Sequence, residues 1–175
     1  DCNDNNANVR PNATELCATN FDDDCDGLIN EICFPGNDNP LFASNCPLST
    51  SATSCTIITG TLQAATATES FGIGALSNNL DVWYYFTANG PGMTLRCTPS
   101  INDVGLELRT SSGELLKTMN AVNGVGDEFM NYSGFTVGNQ YYLRVMNMNG
   151  NQQGGGFTLC ARRISPIASA FNYTN

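Results

Sequence analysis

Oxygen-bearing side chains fall at alternate positions in Phe21-Asp22-Asp23-Asp24-Cys25-Asp26-Gly27-Leu28-Ile29-Asn30-Glu31. Asp22, Asp24 and Asp26 present carboxylates, Gly27 permits a sharp turn, the carbonyl of Leu28 can add an oxygen, and Glu31 can close the shell. Hard oxygen donors at this spacing suit a hard divalent cation, and calcium is the cation this pattern predicts. The loop is shorter than a full twelve-residue hand, so no flanking helices are implied. Four aspartates within five residues repel one another unless a cation compensates them. A solvated acidic turn is the competing reading.

The preceding segment repeats the theme. Asp1, Asn3 and Asn5 again alternate, Ala7 is counted with them, and Glu15 can close a second site from further along. Val9, Leu16, Phe21, Leu28 and Ile29 are too few apolar residues for a core. Metal and disulfides must hold this part together.

These residues resemble a known pattern. Asp1-Cys2, then Pro11-Asn12-Ala13-Thr14-Glu15-Leu16-Cys17, then Asp22-Asp23-Asp24-Cys25-Asp26-Gly27-Leu28-Ile29-Asn30-Glu31, are similar to the metal-binding repeat of secreted bacterial proteins typified by MopE, loosely akin to thrombospondin type 3 calcium repeats. Asn3 and Asn30 depart from the usual Asp, and one extra residue separates Cys17 from Asp22. The copper chemistry of MopE is not carried over, because the chain has no His.

The bulk of the 175 residues must position this segment or be positioned by it. Net charge is -9 with a pI near 4.1, which disfavours nucleic acid and anionic membranes as partners. No apolar run approaches the roughly 20 residues of a membrane span. The eight cysteines, Cys2, Cys17, Cys25, Cys33, Cys46, Cys55, Cys97 and Cys160, form an even set without C-x-x-C pairs or His partners. That predicts four disulfides and a secreted or cell-surface protein rather than a zinc site. The chain opens without Met and reads as a piece of a longer secreted protein. Pairing is expected within each part: Cys2, Cys17, Cys25 and Cys33 among themselves, Cys46 with Cys55, and Cys97 with Cys160. Alternation counts against the last pair, placing Cys97 on the face of Met93 and Leu95 but Cys160 opposite to Phe157 and Leu159.

Residues 1–33 are read as the calcium-binding loop segment, 34–45 as a linker, 46–164 as the sandwich, and 165–175 as a further linker or an exchanged tail. Short alternating runs carry the sandwich. Thr56–Thr59, Val82–Thr87, Met93–Cys97, Val104–Arg109, Leu115–Met119, Phe129–Tyr132, Tyr141–Met146 and Phe157–Ala161 are broken by Gly, Asn and Ser. The fold class predicted is all-β, an antiparallel jelly-roll β-sandwich. Leu80-Asp81-Val82-Trp83-Tyr84-Tyr85-Phe86-Thr87 resembles an Asp-Val-Trp-Tyr-x-Phe signature of secreted Bacteroidota proteins, and the Leu106 to Leu116 stretch, Gly138-Asn139-Gln140-Tyr141-Tyr142-Leu143-Arg144-Val145 and Gly156-Phe157-Thr158-Leu159 resemble, in order, bacterial pre-peptidase C-terminal domains. The resemblance implies a compact accessory or binding module without catalysis.

Catalysis is not expected from the residues either. Without His, proton transfer would fall to carboxylates or Lys, and the sequence alone converges no two of Asp38, Glu69, Asp81, Asp103, Glu107, Glu114, Asp127 and Glu128. Trp83 and Tyr142 are candidates for an aromatic sugar platform, against sheet packing. Asn37, Asp38 and Asn39 are read as a turn, with calcium binding the alternative. The function expected is a structural or adhesive module, one repeat of a surface filament or adhesin with a calcium-stiffened joint. Its partners would be neighbouring domains or copies, with a glycan possible. The alternatives are a carbohydrate-binding accessory domain of a secreted hydrolase, or a shed C-terminal domain of a secreted protease.

Overall fold

A computed structural model describes residues 2–16, 21–28, 34–51, 53–71, 79–100, 103–149 and 155–164. Asp1, Cys17, Glu31, Cys33 and the tail 165–175 lie outside the described residues, and with them part of the expected metal set. No helix among the described residues is long and apolar enough to cross a membrane.

Among the described residues nine strands follow one short 3-10 turn at Pro40–Phe42: β1 (Ser44–Asn45), β2 (Ile57–Thr61), β3 (Asp81–Thr87), β4 (Gly92–Pro99), β5 (Val104–Thr110), β6 (Leu115–Met119), β7 (Glu128–Ser133), β8 (Gln140–Asn147) and β9 (Gly156–Arg163). One sheet has the order β1-β3-β8-β5-β6, the other β2-β9-β4-β7. Without β1, each sheet interleaves strands from the two halves of the chain, which is the order of a jelly roll. The all-β sandwich expected from the alternating runs is the fold observed.

Period-two alternation decides the inner faces. Val82, Tyr84 and Phe86 of β3 meet Tyr141, Leu143 and Val145 of β8 in register and are buried with them. Leu106 and Leu108 of β5 continue that face. Met93, Leu95 and Cys97 of β4 and Phe157, Leu159 and Ala161 of β9 form the opposing layer. The layers interlock through aromatic rings: Tyr84 meets Phe157 edge-on with centroids 6.1 Å apart, and Phe86 and Phe135 lie 5.4 Å apart. Gly60 is required at one close approach, because a β-carbon there would stand 2.2 Å from the Tyr84 hydroxyl and 2.4 Å from Phe157 Cζ.

The expected linker is more structured than its turn formers suggest. Asn37 takes the Trp83 N–H on its carbonyl and donates its side-chain amide to Trp83 O, both within 2.9 Å. Asp38 accepts the backbone N–H and the hydroxyl of Thr66, each at 2.6 Å. Asn39 Oδ1 accepts the Leu41 N–H and caps the 3-10 turn. These three residues are a latch on the sandwich. Ser44 and Asn45 then pair in parallel with Tyr84 and Tyr85.

The disulfide pairing differs from expectation in the sandwich. Cys55 bonds Cys160, while Cys46 and Cys97 are buried thiols. β2 lies antiparallel against β9 with Ile57 opposite Cys160, so the chain just before β2 reaches the outward-facing Cys160. Cys97 points into the core and cannot. Cys46 also points inward, away from Cys55. In the N-terminal segment Cys2 bonds Cys25, within the set expected there. Closing a 23-residue separation in this way stabilises by about 3 kcal/mol in the loop-entropy account.

Candidate metal centre and the sealed outer face

The N-terminal segment is a series of turns held by side-chain oxygens. Asn3 Oδ1 accepts the Asn5 N–H at 3.1 Å, and Asn6 Oδ1 accepts that of Asn8 at 3.2 Å. Ala7 lies between them, exposed. In the second loop both oxygens of Asp22 are used, accepting the N–H groups of Asp26 and Gly27. Asp26 Oδ1 in turn accepts the Leu28 N–H at 2.8 Å. Gly27 sits at φ +98°, the left-handed conformation that makes it the natural residue for this turn.

A reciprocal clamp closes the two loops on each other. Glu15, almost wholly buried, accepts the N–H groups of Asp23 and Asp24 on Oε1, at 2.8 and 3.0 Å. Asp23, also buried, accepts the Leu16 N–H at 3.0 Å. Its carbonyl takes the N–H of Arg10. The consequence is that Glu15, which the sequence groups with Asn3 and Asn5, stands with Asp22 and Asp24. Oxygens from these three carboxylates lie within 4.8 Å of one another. Asp26 lies outside that group and is exposed, and Leu28 is exposed beside it. Asp23 was not among the residues the spacing singled out. Its signal was available only as a fourth Asp off the alternating set.

Partial removal from water, then the negative charges of Asp26, Glu15 and Asp22, hold Asp24 above its ordinary carboxylate range, against a lowering hydrogen bond from the Asp26 backbone. Like charges gathered this closely are what a bound cation relieves. The donors are hard oxygens, and oxygens around a calcium ion at 2.3–2.6 Å stand about this far apart. Among these residues there is no imidazole and no free thiol, the groups a copper site prefers.

Over the central strands β3, β8 and β5 the outer face is also buried, which alternation does not announce. Trp83, Arg144 and Glu107 sit in one cross-strand row over β3, β8 and β5. Arg144, fully buried, pairs with Asp81 through Nε at 2.6 Å and through Nη2, and with Glu107 Oε2 at 3.4 Å. Arg109 takes the same Glu107 oxygen at 2.9 Å and donates to Gly113 O at 2.7 Å. Trp83 Nε1 donates to Thr68 Oγ1 and Asp81 Oδ1 at 2.8 and 2.9 Å, and Thr68 Oγ1 donates to Asp81 at 2.6 Å. Burial raises the Asp81 carboxyl, opposed by Arg144 and by the Thr68 hydrogen bonds. Two carboxylates do converge here, balanced by two arginines, Arg144 between them and Arg109 on Glu107.

Trp83 has no exposed surface. Its ring lies 4.9 Å from Phe71 and 5.8 Å from the Arg144 guanidinium carbon. It is sheet packing, the reading set against the sugar platform, and it offers no ring face to a ligand. Tyr142, half-buried, packs against the same Phe71 with its ring tilted and centroids 4.9 Å apart.

Residues 1–31 match the family Cu-binding_MopE, described as "Putative metal-binding motif". No curated protein matches the sequence. Among solved structures, the pre-peptidase C-terminal domain of a collagenase from Bacillus anthracis is 16% identical, with 69% of this chain and 94% of that chain covered and a TM-score of 0.43. PliG from Aeromonas hydrophila, a periplasmic inhibitor of g-type lysozyme, is 8% identical over 69% and 96% of the two chains, TM-score 0.38. The CBM36-1 domain of a multidomain xylanase from the hindgut metagenome of Trinervitermes trinervoides is 14% identical over 64% and 100%, TM-score 0.37.

Proposed function

We propose that this chain is a non-catalytic extracellular module in which a calcium-bound joint precedes a jelly-roll sandwich, serving as a structural or adhesive repeat of a surface filament or adhesin. The observation that carries the reading is the convergence of Glu15, Asp22 and Asp24 within 4.8 Å, in a segment matched as a metal-binding motif and almost without apolar core. Calcium held there, with Asp26, the Leu28 carbonyl and Glu31 as further candidates, supplies folding free energy the segment lacks. A second site would draw on Asp1, Asn3, Asn5 and Ala7. The Cys2–Cys25 bond supports export to an oxidising compartment. Occupation of Asp81 and Glu107 by Arg144 supports a module without acid–base chemistry. The burial of Trp83 leaves only the half-buried Tyr142 of the two aromatics on which a carbohydrate reading rested.

The test is thermal unfolding of the disulfide-intact protein with calcium and with excess chelator, alongside light scattering. The expected result is a lower melting temperature for the N-terminal transition on chelation, restored by calcium and not by magnesium at equal concentration. Identical melting curves with and without chelator would refute the calcium joint. A concentration-dependent large species supports the filament, and a strict monomer at all concentrations counts against it.

A further inference from the structure

Cys46 and Cys97 carry free thiols, and both are sealed in the core, at 1% and 0% exposure. They enter it from opposite sheets. Cys46 follows β1 and donates its N–H to Tyr85 O, which extends the β1–β3 pairing and sets Cys46 beside Phe86. Three residues later Ser49 pairs with Arg162 of β9, in the other sheet. The short segment between, with Cys46 and Leu48 turned inward, therefore spans the open edge of the sandwich. Cys97 faces inward from β4, opposite Leu159 of β9. The two sheets touch at this level through Tyr84 and Phe157. Tyr84 is the cross-strand partner of Ser44, two residues before Cys46, and Phe157 lies two residues along β9 from the partner of Cys97. Burial drives both thiols up to about 12, and the negative charge of each thiolate is felt by the Tyr84 hydroxyl between the sheets.

Neither thiol can meet a partner from solution in the folded protein. Cys2, Cys25, Cys55 and Cys160 are consumed in disulfides, so the compartment is oxidising. We infer that Cys46 and Cys97 close a cross-sheet disulfide in the exported protein, pinning the edge segment before β2 to the central strand β4. The two thiols lose two protons and two electrons. A protein or small-molecule disulfide accepts them and is reduced to two thiols, by way of a mixed disulfide. Exchange takes place before the core closes, while the sulfurs are still reachable. Disulfide geometry asks for a Cα separation of roughly 4.4–6.8 Å. Any adjustment falls to the two-residue edge strand β1, since β4 is held on both sides by β7 and β9.

The experiment is peptide mapping of the full chain exported to an oxidising compartment. The protein is denatured with N-ethylmaleimide and no reductant, digested, and analysed by mass spectrometry. The expected result is a cross-linked peptide joining Cys46 to Cys97, with neither carrying the label. Label on both cysteines, or a cross-link from either to another cysteine, overturns the inference. Cys97→Ser is the second arm. It is expected to leave Cys46 labelled, one equivalent more than in the unsubstituted protein, and because labelling is done on denatured chains the result stands even if the variant folds poorly. Equal labelling of the two proteins at Cys46 overturns the inference.

Discussion

Replacing Arg144 with methionine keeps most of the side-chain volume and removes one buried charge. Arg144 has no exposed surface and is the only cation contacting Asp81 among the ion pairs of the described residues, whereas Glu107 keeps Arg109. The substitution therefore strands one buried carboxylate. Breaking a buried pair by removing one partner costs roughly 3–5 kcal/mol. For a sandwich of this size each kcal/mol moves the melting temperature by about 4 °C, so a fall of roughly 12–20 °C is expected in circular dichroism melts at pH 7. The loss must depend on pH in a fixed direction. Without Arg144 the lowering influence on Asp81 is gone and burial holds its carboxyl higher still. A folded-state pKa above the unfolded one gives a contribution that is complete below the unfolded pKa and is lost as pH rises through the folded pKa. The deficit of Arg144→Met should accordingly shrink as pH falls from 7 to 5. Asp81→Asn combined with Arg144→Met should recover more than half of the loss, since no charge is then left behind. A shift under about 4 °C at pH 7, or a double variant no better than the single one, would refute the buried network as drawn.

Three further outcomes are expected. Glu15→Gln keeps the size of the side chain but gives up its charge, and should weaken calcium binding about 10- to 100-fold by isothermal titration calorimetry, the scale of one charge-assisted contact. Gly60→Ala drives a methyl group into Tyr84 and Phe157, and should cost about 1–3 kcal/mol in urea unfolding with an unchanged slope. In fully reduced protein Cys46 and Cys97, both raised from 9.0 to about 12, contribute stability that is complete below pH 9 and is lost as pH rises towards 12. Urea midpoints measured from pH 8 to 11 should fall, and fall less in Cys46→Ala/Cys97→Ala, which lacks both buried thiols.

By itself the sequence determined whatever depends on local period and local spacing. Alternation placed eight of the nine described strands and the inner faces of β3, β4, β5, β8 and β9, and it showed Cys97 and Cys160 pointing to opposite sides. The run Asp22 to Gly27 specified oxygen donors and a turn, because Asx-type hydrogen bonds such as Asp26 to Leu28 span only two residues. Tertiary structure decided everything that joins distant segments. Strand β1 has two residues and no alternation to read, and exists because β3 offers it an edge. Glu15 meets Asp22 and Asp24 because backbone N–H groups eight and nine residues away bind its carboxylate. Arg144, Asp81 and Trp83 alternate as solvent-facing positions should, yet lie buried, since Thr68 and Phe71 from the chain between β2 and β3 fold against that face. Cys55 reached Cys160 and left Cys46 and Cys97 in the core for the same reason: strand register, a property of the whole sheet, sets which sulfurs share a side.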